Sequence, residues 1–228
     1  MQLCVALDLP TKKENLELLE KIKQHDNLWI KVGFRSYIRD GKEFLEDIKH
    51  INPTFKIFLD LKLYDIPNTM ADASEEIAKL NVDMFNVHAS SGIKAMQTVM
   101  KRLSKLNKRP LVLAVTALTS FDNESFKDIY KSDINTMASK FAKDAYKAGL
   151  DGVVCSAFES KEIKNDTNSN FLTLTPGIRP FGEDANDQKR AATIDIAKEN
   201  LVDFIVVGRP IYKAENPAKK VEDILRAL

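Results

Sequence analysis

Two carboxylates flank one ammonium in the stretch Asp60-Leu61-Lys62-Leu63-Tyr64-Asp65-Ile66-Pro67-Asn68-Thr69. Asp60 and Lys62 lie two residues apart, so on an extended backbone both side chains point to one face. Such a charge cluster at the end of a buried strand is costly, and core packing has no need of it. Flanking carboxylates favour the ammonium form of a lysine, which suits a proton donor and disfavours a Schiff-base nucleophile.

Positioning such a cluster takes a rigid frame, and the chain supplies one in regular units. Apolar runs that read as buried strands begin near residues 3, 29, 56, 84 and 111, with three more at Gly152–Cys155, Phe171–Leu174 and Phe204–Val207. Between them lie helical faces such as Leu16, Leu19 and Ile22, or Ile134, Met137, Ala138, Phe141 and Ala145. The spacing predicts a short helix around Phe44, Leu45 and Ile48, another near Ser160–Lys164, and one from Asp187 to Glu199. Thr119 to Ser132 reads as polar and helix-poor. Continuous apolar strands alternating with amphipathic helices require a parallel sheet covered by helices. Eight such units in 228 residues predict a single-domain (β/α)₈ TIM barrel spanning residues 1–228. A doubly wound sheet is the alternative, but no GxGxxG loop follows the first strand.

Composition excludes several function classes. The 34 basic and 33 acidic residues nearly cancel, which argues against nucleic acid or an acidic membrane as partner. No apolar run approaches spanning length or resembles a signal peptide. Cys4 and Cys155 sit apart in apolar strands, as reduced core thiols of a cytoplasmic protein would. Two isolated cysteines and three scattered histidines predict no metal site.

In a barrel, chemistry collects at the carboxyl ends of the strands. Those ends carry Asp8, Lys31, Asp60, Lys62, Asp65, His88, Thr119, Arg179 and Arg209. Alternation aims Asp8, Lys31, Asp60 and Lys62 from three strands into one pocket. His88 reads as structural, and Phe121 and Phe126 as packing. The loops after strands seven and eight form the usual phosphate site of such barrels. Here they read Pro176-Gly177-Ile178-Arg179-Pro180 and Val207-Gly208-Arg209-Pro210, which predicts a phosphorylated small-molecule ligand. The polar loop from Gly177 to Gln188 has the composition of a cover or of a solvated connection.

These features together resemble the orotidine 5′-phosphate decarboxylase family from Val5 to Arg209. The DxKxxD element followed by Pro67-Asn68-Thr69, the PGIRP segment, Gln188 and the VVGR segment occur in that family's order. The resemblance implies decarboxylation of orotidine 5′-phosphate to UMP, the last step of de novo pyrimidine nucleotide synthesis, without cofactor or metal. It implies that Lys31, Asp60, Lys62 and Asp65 form the charged catalytic array, with Lys62 protonating C6. It implies a homodimer in which Asp65 and Thr69 serve the neighbouring subunit's site. Asp8 and Lys31 would hold the ribose, Thr119 or Ser120 the pyrimidine, and Arg179, Gln188, Gly208 and Arg209 the phosphate. The nearest rival is a metal-dependent phosphosugar decarboxylase or synthase on the same barrel. A catalytically idle binding protein for a phosphorylated ligand is the other.

Overall fold

The computed structural model describes residues 1–184 and 190–228. Eight parallel strands close on one another in chain order, with β1 (Gln2–Ala6) paired to both β2 (Trp29–Gly33) and the last strand. The others are β3 (Lys56–Leu63), β4 (Met84–His88), β5 (Leu111–Val115), β6 (Gly152–Val154), β7 (Leu172–Thr175) and β8 (Phe204–Val207). Around the barrel run α1 (Lys12–Ile22), α2 (Phe34–Ile51), α3 (Pro67–Lys79), α4 (Ile93–Leu103), α5 (Asn123–Tyr130) and α6 (Ile134–Lys147). The ring continues with α7 (Ala157–Asp166), α8 (Ile194–Glu199), α9 (Arg209–Tyr212) and α10 (Pro217–Ala227). The predicted (β/α)₈ barrel is the fold observed.

Period-2 alternation sorts the strand residues into two cores. Leu3, Val5, Ile30, Val32, Ile57 and Leu59 pack outward with the helices. Cys4, Ala6, Trp29, Phe58, Met84, Leu113, Val154, Leu174, Phe204 and Val206 fill the barrel interior. Trp29 meets Phe204 edge to face, with ring centroids 5.3 Å apart. Between β6 and β7 the backbones come so close that a Cβ on Gly152 would lie 2.2 Å from the Leu172 carbonyl oxygen.

A repeated device locks the register at the opposite end from the loops that carry the charges. The residue just before β4, β6 and β8 is an aspartate: Asp83, Asp151 and Asp203. Each donates its N–H to a carbonyl near the start of the preceding strand: Ile57 (2.9 Å), Val112 (3.0 Å) and Thr173 (3.2 Å). Each carboxylate then accepts that same residue's N–H at 2.8 Å. A cation completes each staple: Lys49 at 3.3 Å, Arg109 at 2.6 Å and Lys164 at 2.7 Å.

Several elements depart from the sequence reading, each for a local reason. Helix α2 starts at Phe34, directly after β2, and bends at Gly41 (φ 61°). Its first turns leave Phe34 and Ile38 exposed, so they carry no core-facing period. The stretch expected to be helix-poor contains α5, started by the Asp122 side chain, which accepts the Ser125 N–H at 2.9 Å. Phe126 is its one buried residue, too little to show as a periodicity. Phe126 packs between Phe121 and Tyr130, so both phenylalanines are packing residues as expected. Helix α7 is longer than predicted. Strand β7 lies one residue further along, at Leu172–Thr175. Of the helix expected from Asp187 to Glu199, residues 187–189 lie outside the described residues, and among those described the helix runs from Ile194, capped by Thr193. Just before it Ala192 bridges to Ile178 and accepts the Arg179 N–H at 2.8 Å, which holds that stretch extended.

The staples generate a test. Asp151→Ala leaves the Val112 N–H without its side-chain acceptor and Arg109 without its carboxylate. Unfolding in urea should show a loss of about 1–3 kcal/mol, the usual cost of orphaning such a group.

Candidate active site

Strand β3 carries the charges, and it does so by breaking its own regularity. It pairs with β4 at Leu59–Phe85 and next at Leu63–Val87, so β3 spends extra residues between the two contacts. Within that bulge Lys62 adopts a left-handed backbone (φ 48°), which costs a non-glycine residue about 1–2 kcal/mol. Alternation gives the correct face for Asp60, whereas Lys62 reaches the pocket through the bulge.

The pocket at this end of the barrel has a volume of about 380 Å³. Its wall includes Asp8, Lys31, Asp60, Lys62, Thr119, Ser120, Arg179, Gly208 and Arg209, so nine of the predicted residues come together from six strand ends. Asp65 and Thr69 do not line it; both are exposed on the adjoining rim, and Asp65 accepts the N–H of Ile66 at 2.6 Å. Gln188 lies outside the described residues.

Within the pocket the charges alternate. The Asp60 side chain is only 13% exposed. Its Oδ1 accepts from Lys62 Nζ at 2.6 Å, and its Oδ2 lies 3.6 Å from Lys31 Nζ. Lys31 in turn donates to Asp8 Oδ1 at 3.1 Å. Burial opposes ionisation of Asp60, but Lys31, Lys62 and hydrogen bonds from Lys62 and Asn86 outweigh it and hold the carboxyl below its ordinary range. Burial likewise opposes the charge on Lys31, and the carboxylates of Asp60 and Asp8 more than offset it, raising that pKa.

Arg179 lines the same pocket and is 5% exposed, with its guanidinium held by the carbonyls of Asp184 (2.6 Å) and Ile178 (3.1 Å). Arg209 opens α9 beside it. Both arginines line the same cavity as the aspartate–lysine array, and a Cβ on Gly208, next to Arg209, would lie 4.0 Å from the Asp8 carboxylate. His88 stands at the β4 end with its ring bound by Ser90 Oγ at 2.6 Å, and burial and then Lys62 lower its pKa. It does not line the pocket, in keeping with a structural role.

Several residues of the site escaped the sequence reading. Asn86, fully buried on β4, donates to Asp60 and accepts from the Lys62 backbone; a polar residue amid Met84, Phe85 and Val87 was the available signal. Gly33 reads as a strand stop, yet a Cβ there would come 3.2 Å from Lys31 Nζ. Arg190 pairs with the buried Glu159 at the start of α7 and reaches the Leu118 carbonyl at 3.5 Å, tying the loop after β7 to two neighbouring strand ends. Nothing in its sequence context marks it. Tyr212 also lines the pocket.

Among the described residues no cluster of three or more His, Cys, Asp or Glu is placed to hold a metal ion. None of the helices among them is long and apolar enough to cross a membrane.

The chain matches the family described as "Orotidine 5'-phosphate decarboxylase / HUMPS family" over residues 1–224. It belongs to that family. A relative named orotidine 5'-phosphate decarboxylase from Nitratiruptor sp. is 68% identical over 228 residues, covering all of both chains. One of the same name from Sulfurimonas denitrificans is 67% identical with the same coverage. The crystal structure of orotidine 5'-phosphate decarboxylase from Lactobacillus acidophilus superposes with a TM-score of 0.85 at 32% identity, over 99% of this chain and 98% of that one.

For this family member the array sets a pH dependence of stability. The Asp60 pKa is depressed by folding, so its contribution is complete above the unfolded value, about pH 4, and is lost as pH falls through the folded value. The raised Lys31 pKa works in reverse, contributing fully below about pH 10 and losing that contribution as pH rises through the folded value. Urea unfolding of Asp60→Asn should therefore show a shallower loss of stability than the unmodified chain as pH is lowered from about 5 to about 2.

Proposed function

We propose that this protein decarboxylates orotidine 5′-phosphate to UMP, the last step of de novo pyrimidine nucleotide synthesis. The observation that carries the reading is the Lys62 ammonium, held 2.6 Å from the buried Asp60 in a cavity that Arg179 and Arg209 also line. The relatives' names support it, at identities of 61–68% over the full chain.

In the proposed reaction, phosphate binds at Arg179, Gln188, Gly208 and Arg209. Packing within the chain does not by itself demand glycine at 208, since a Cβ there would make an ordinary 3.4 Å contact with Ala6. Close approach of a ligand gives the glycine a reason. Asp8 and Lys31 hold the ribose hydroxyls, and Thr119 or Ser120 the pyrimidine. The bond from C6 to the carboxyl carbon breaks, its electron pair stays on C6, and CO₂ leaves. No carbonyl is placed to delocalise that carbanion, so the Lys62 ammonium stabilises it and transfers a proton from Nζ to C6. Asp60 lies beside the departing carboxylate and fixes Lys62. Binding energy from the distant phosphate helps to orient the reacting carbon. The chemistry needs no cofactor.

The reading includes a homodimer. Asp65 and Thr69 stand outside this chain's own pocket; Tyr64 and Ile66, on either side of Asp65, are exposed apolar side chains, as are Phe34, Ile38 and Ile93. Ile38 at 78% and Ile66 at 67% exposure are costly to leave in water and suit burial against a second copy. In that dimer Asp65 completes the partner's array beside Lys62, and Thr69 contributes to the same site. A cytoplasmic location fits the two free, buried cysteines.

Adding orotidine 5′-phosphate and following the pyrimidine absorbance as UMP forms tests the activity. Turnover that survives a chelator is expected; its absence from folded protein overturns the reading, and loss on chelation favours the metal-dependent rival. Arg209→Ala should raise KM at least tenfold by removing a charged phosphate donor. For the dimer, Ile66→Arg should shift sedimentation from two chains toward one and abolish turnover together. A fully active monomer would contradict the shared site.

A further inference from the structure

The barrel interior at β4 contains one polar side chain that the mechanism has not used. Asn86 is fully buried, follows the inward-facing Met84 by two residues, and is paired across the ladder to Leu113 on β5. Its amide is engaged at both ends. Nδ2 donates to Asp60 Oδ1 at 2.7 Å, and Oδ1 accepts the backbone N–H of Lys62 at 2.7 Å. Chemistry fixes this orientation, because an ionised carboxylate only accepts and a backbone N–H only donates.

The placement answers the defect in β3. Between Leu59 and Leu63 the strand leaves its register with β4, and the Lys62 N–H finds a side-chain amide in place of a ladder carbonyl. The same amide meets the oxygen that also receives Lys62 Nζ. Asn86 thus closes a ring of three hydrogen bonds through the Lys62 backbone, the Lys62 ammonium and the Asp60 carboxylate. A ring of this kind sets both the strained backbone (φ 48°) that launches the lysine and the carboxylate that receives it.

We propose that Asn86 is a positioning residue for the reaction: it holds the β3 bulge in the one conformation that presents the Lys62 ammonium beside Asp60. The inference rests on the decarboxylase reading for its kinetic consequence but not for its geometric one. Removing the amide leaves the Lys62 N–H orphaned and the Asp60 oxygen with one donor fewer, so the bulge relaxes and the ammonium moves.

Two substitutions test this. Asn86→Leu keeps the volume and removes both hydrogen bonds. With orotidine 5′-phosphate its kcat should fall about 10²-fold, the usual effect of displacing a reacting group by about 1 Å, with KM little changed. Asn86→Asp keeps the acceptor for the Lys62 N–H but donates to Asp60 only when protonated. Charged or titratable groups facing that position are Asp60 and Lys62 on β3, Lys31 beyond them on β2, and His88 on β4 itself, while Leu113 on β5 is apolar. Its turnover should therefore recover as pH falls through the new carboxyl's pKa, a limb that the unmodified enzyme lacks. An unchanged kcat in Asn86→Leu, or a wild-type rate and pH profile in Asn86→Asp, would overturn the proposal. If Asn86→Leu fails to fold, Asn86→Asp decides. A crystal structure of the folded variant reads the geometry without turnover: Lys62 should leave the left-handed region and lose its contact with Asp60, and unchanged coordinates would refute the inference. Absence of turnover in the unmodified protein would instead count against the decarboxylase reading, with the crystallographic outcome still deciding the role of Asn86.

Discussion

A carboxylate buried at the mouth of an apolar barrel has to be compensated, and the compensation of Asp60 organises this molecule. Without partners, an ionised carboxylate buried as deeply as that of Asp60 would take up a proton instead of staying charged. Lys31 and Lys62 supply the compensation from two adjacent strands, and Asp8 balances Lys31 from a third. The barrel closes around that constraint: the ladders run in register as far as Ala6–Lys31 and Gly33–Asp60, which brings Asp8, Lys31 and Asp60 together from three strands. Breaking such a pair costs about 3–5 kcal/mol by leaving one charge alone, so the array is fixed thermodynamically as well as sterically.

Rigidity at one end of the barrel makes strain at the other affordable. The aspartate staples before β4, β6 and β8 pin strand register where no chemistry occurs. At the opposite end β3 departs from its ladder with β4, and Lys62 takes up an unfavourable backbone conformation. Local strain persists where surrounding structure over-determines it, and here Asn86 and Asp60 hold the bulge from both sides. The loop after β7 is held in a comparable way. Arg179 is bound by backbone carbonyls, and Arg190 is anchored on a glutamate whose burial, only partly offset by that arginine, raises its pKa.

Much of this was legible from sequence because it rests on periodicity. Ile57, Leu59 and Phe58 announce their faces by alternation, and helices such as α6 announce theirs by spacing. The ends of strands then gave Asp8, Lys31, Asp60 and the two arginines. What escaped notice depends on contacts that no local pattern encodes. Asn86 looks like one polar interruption in Met84–His88 until Lys62 is seen to lack a ladder partner. Gly33 looks like a stop until the Lys31 ammonium is found beside it. Helix α5 buries one side chain and owes its start to a cap, so it left too weak a trace. Asp65 reads in sequence as the second carboxylate flanking Lys62, yet within this chain it is exposed and stands outside the pocket, because the turn into α3 carries it onto the rim.

The central claim is that Lys62 acts on the reacting carbon and does not merely hold the ligand. The most direct measurement compares Lys62→Ala with the unmodified protein for turnover of orotidine 5′-phosphate and for binding of the product UMP. The account predicts loss of turnover by more than about 10⁴-fold, since both electrostatic stabilisation and the proton source go with the ammonium, while UMP still binds through the phosphate and ribose contacts. Turnover within tenfold of the unmodified protein, in a variant that binds UMP normally, would contradict it.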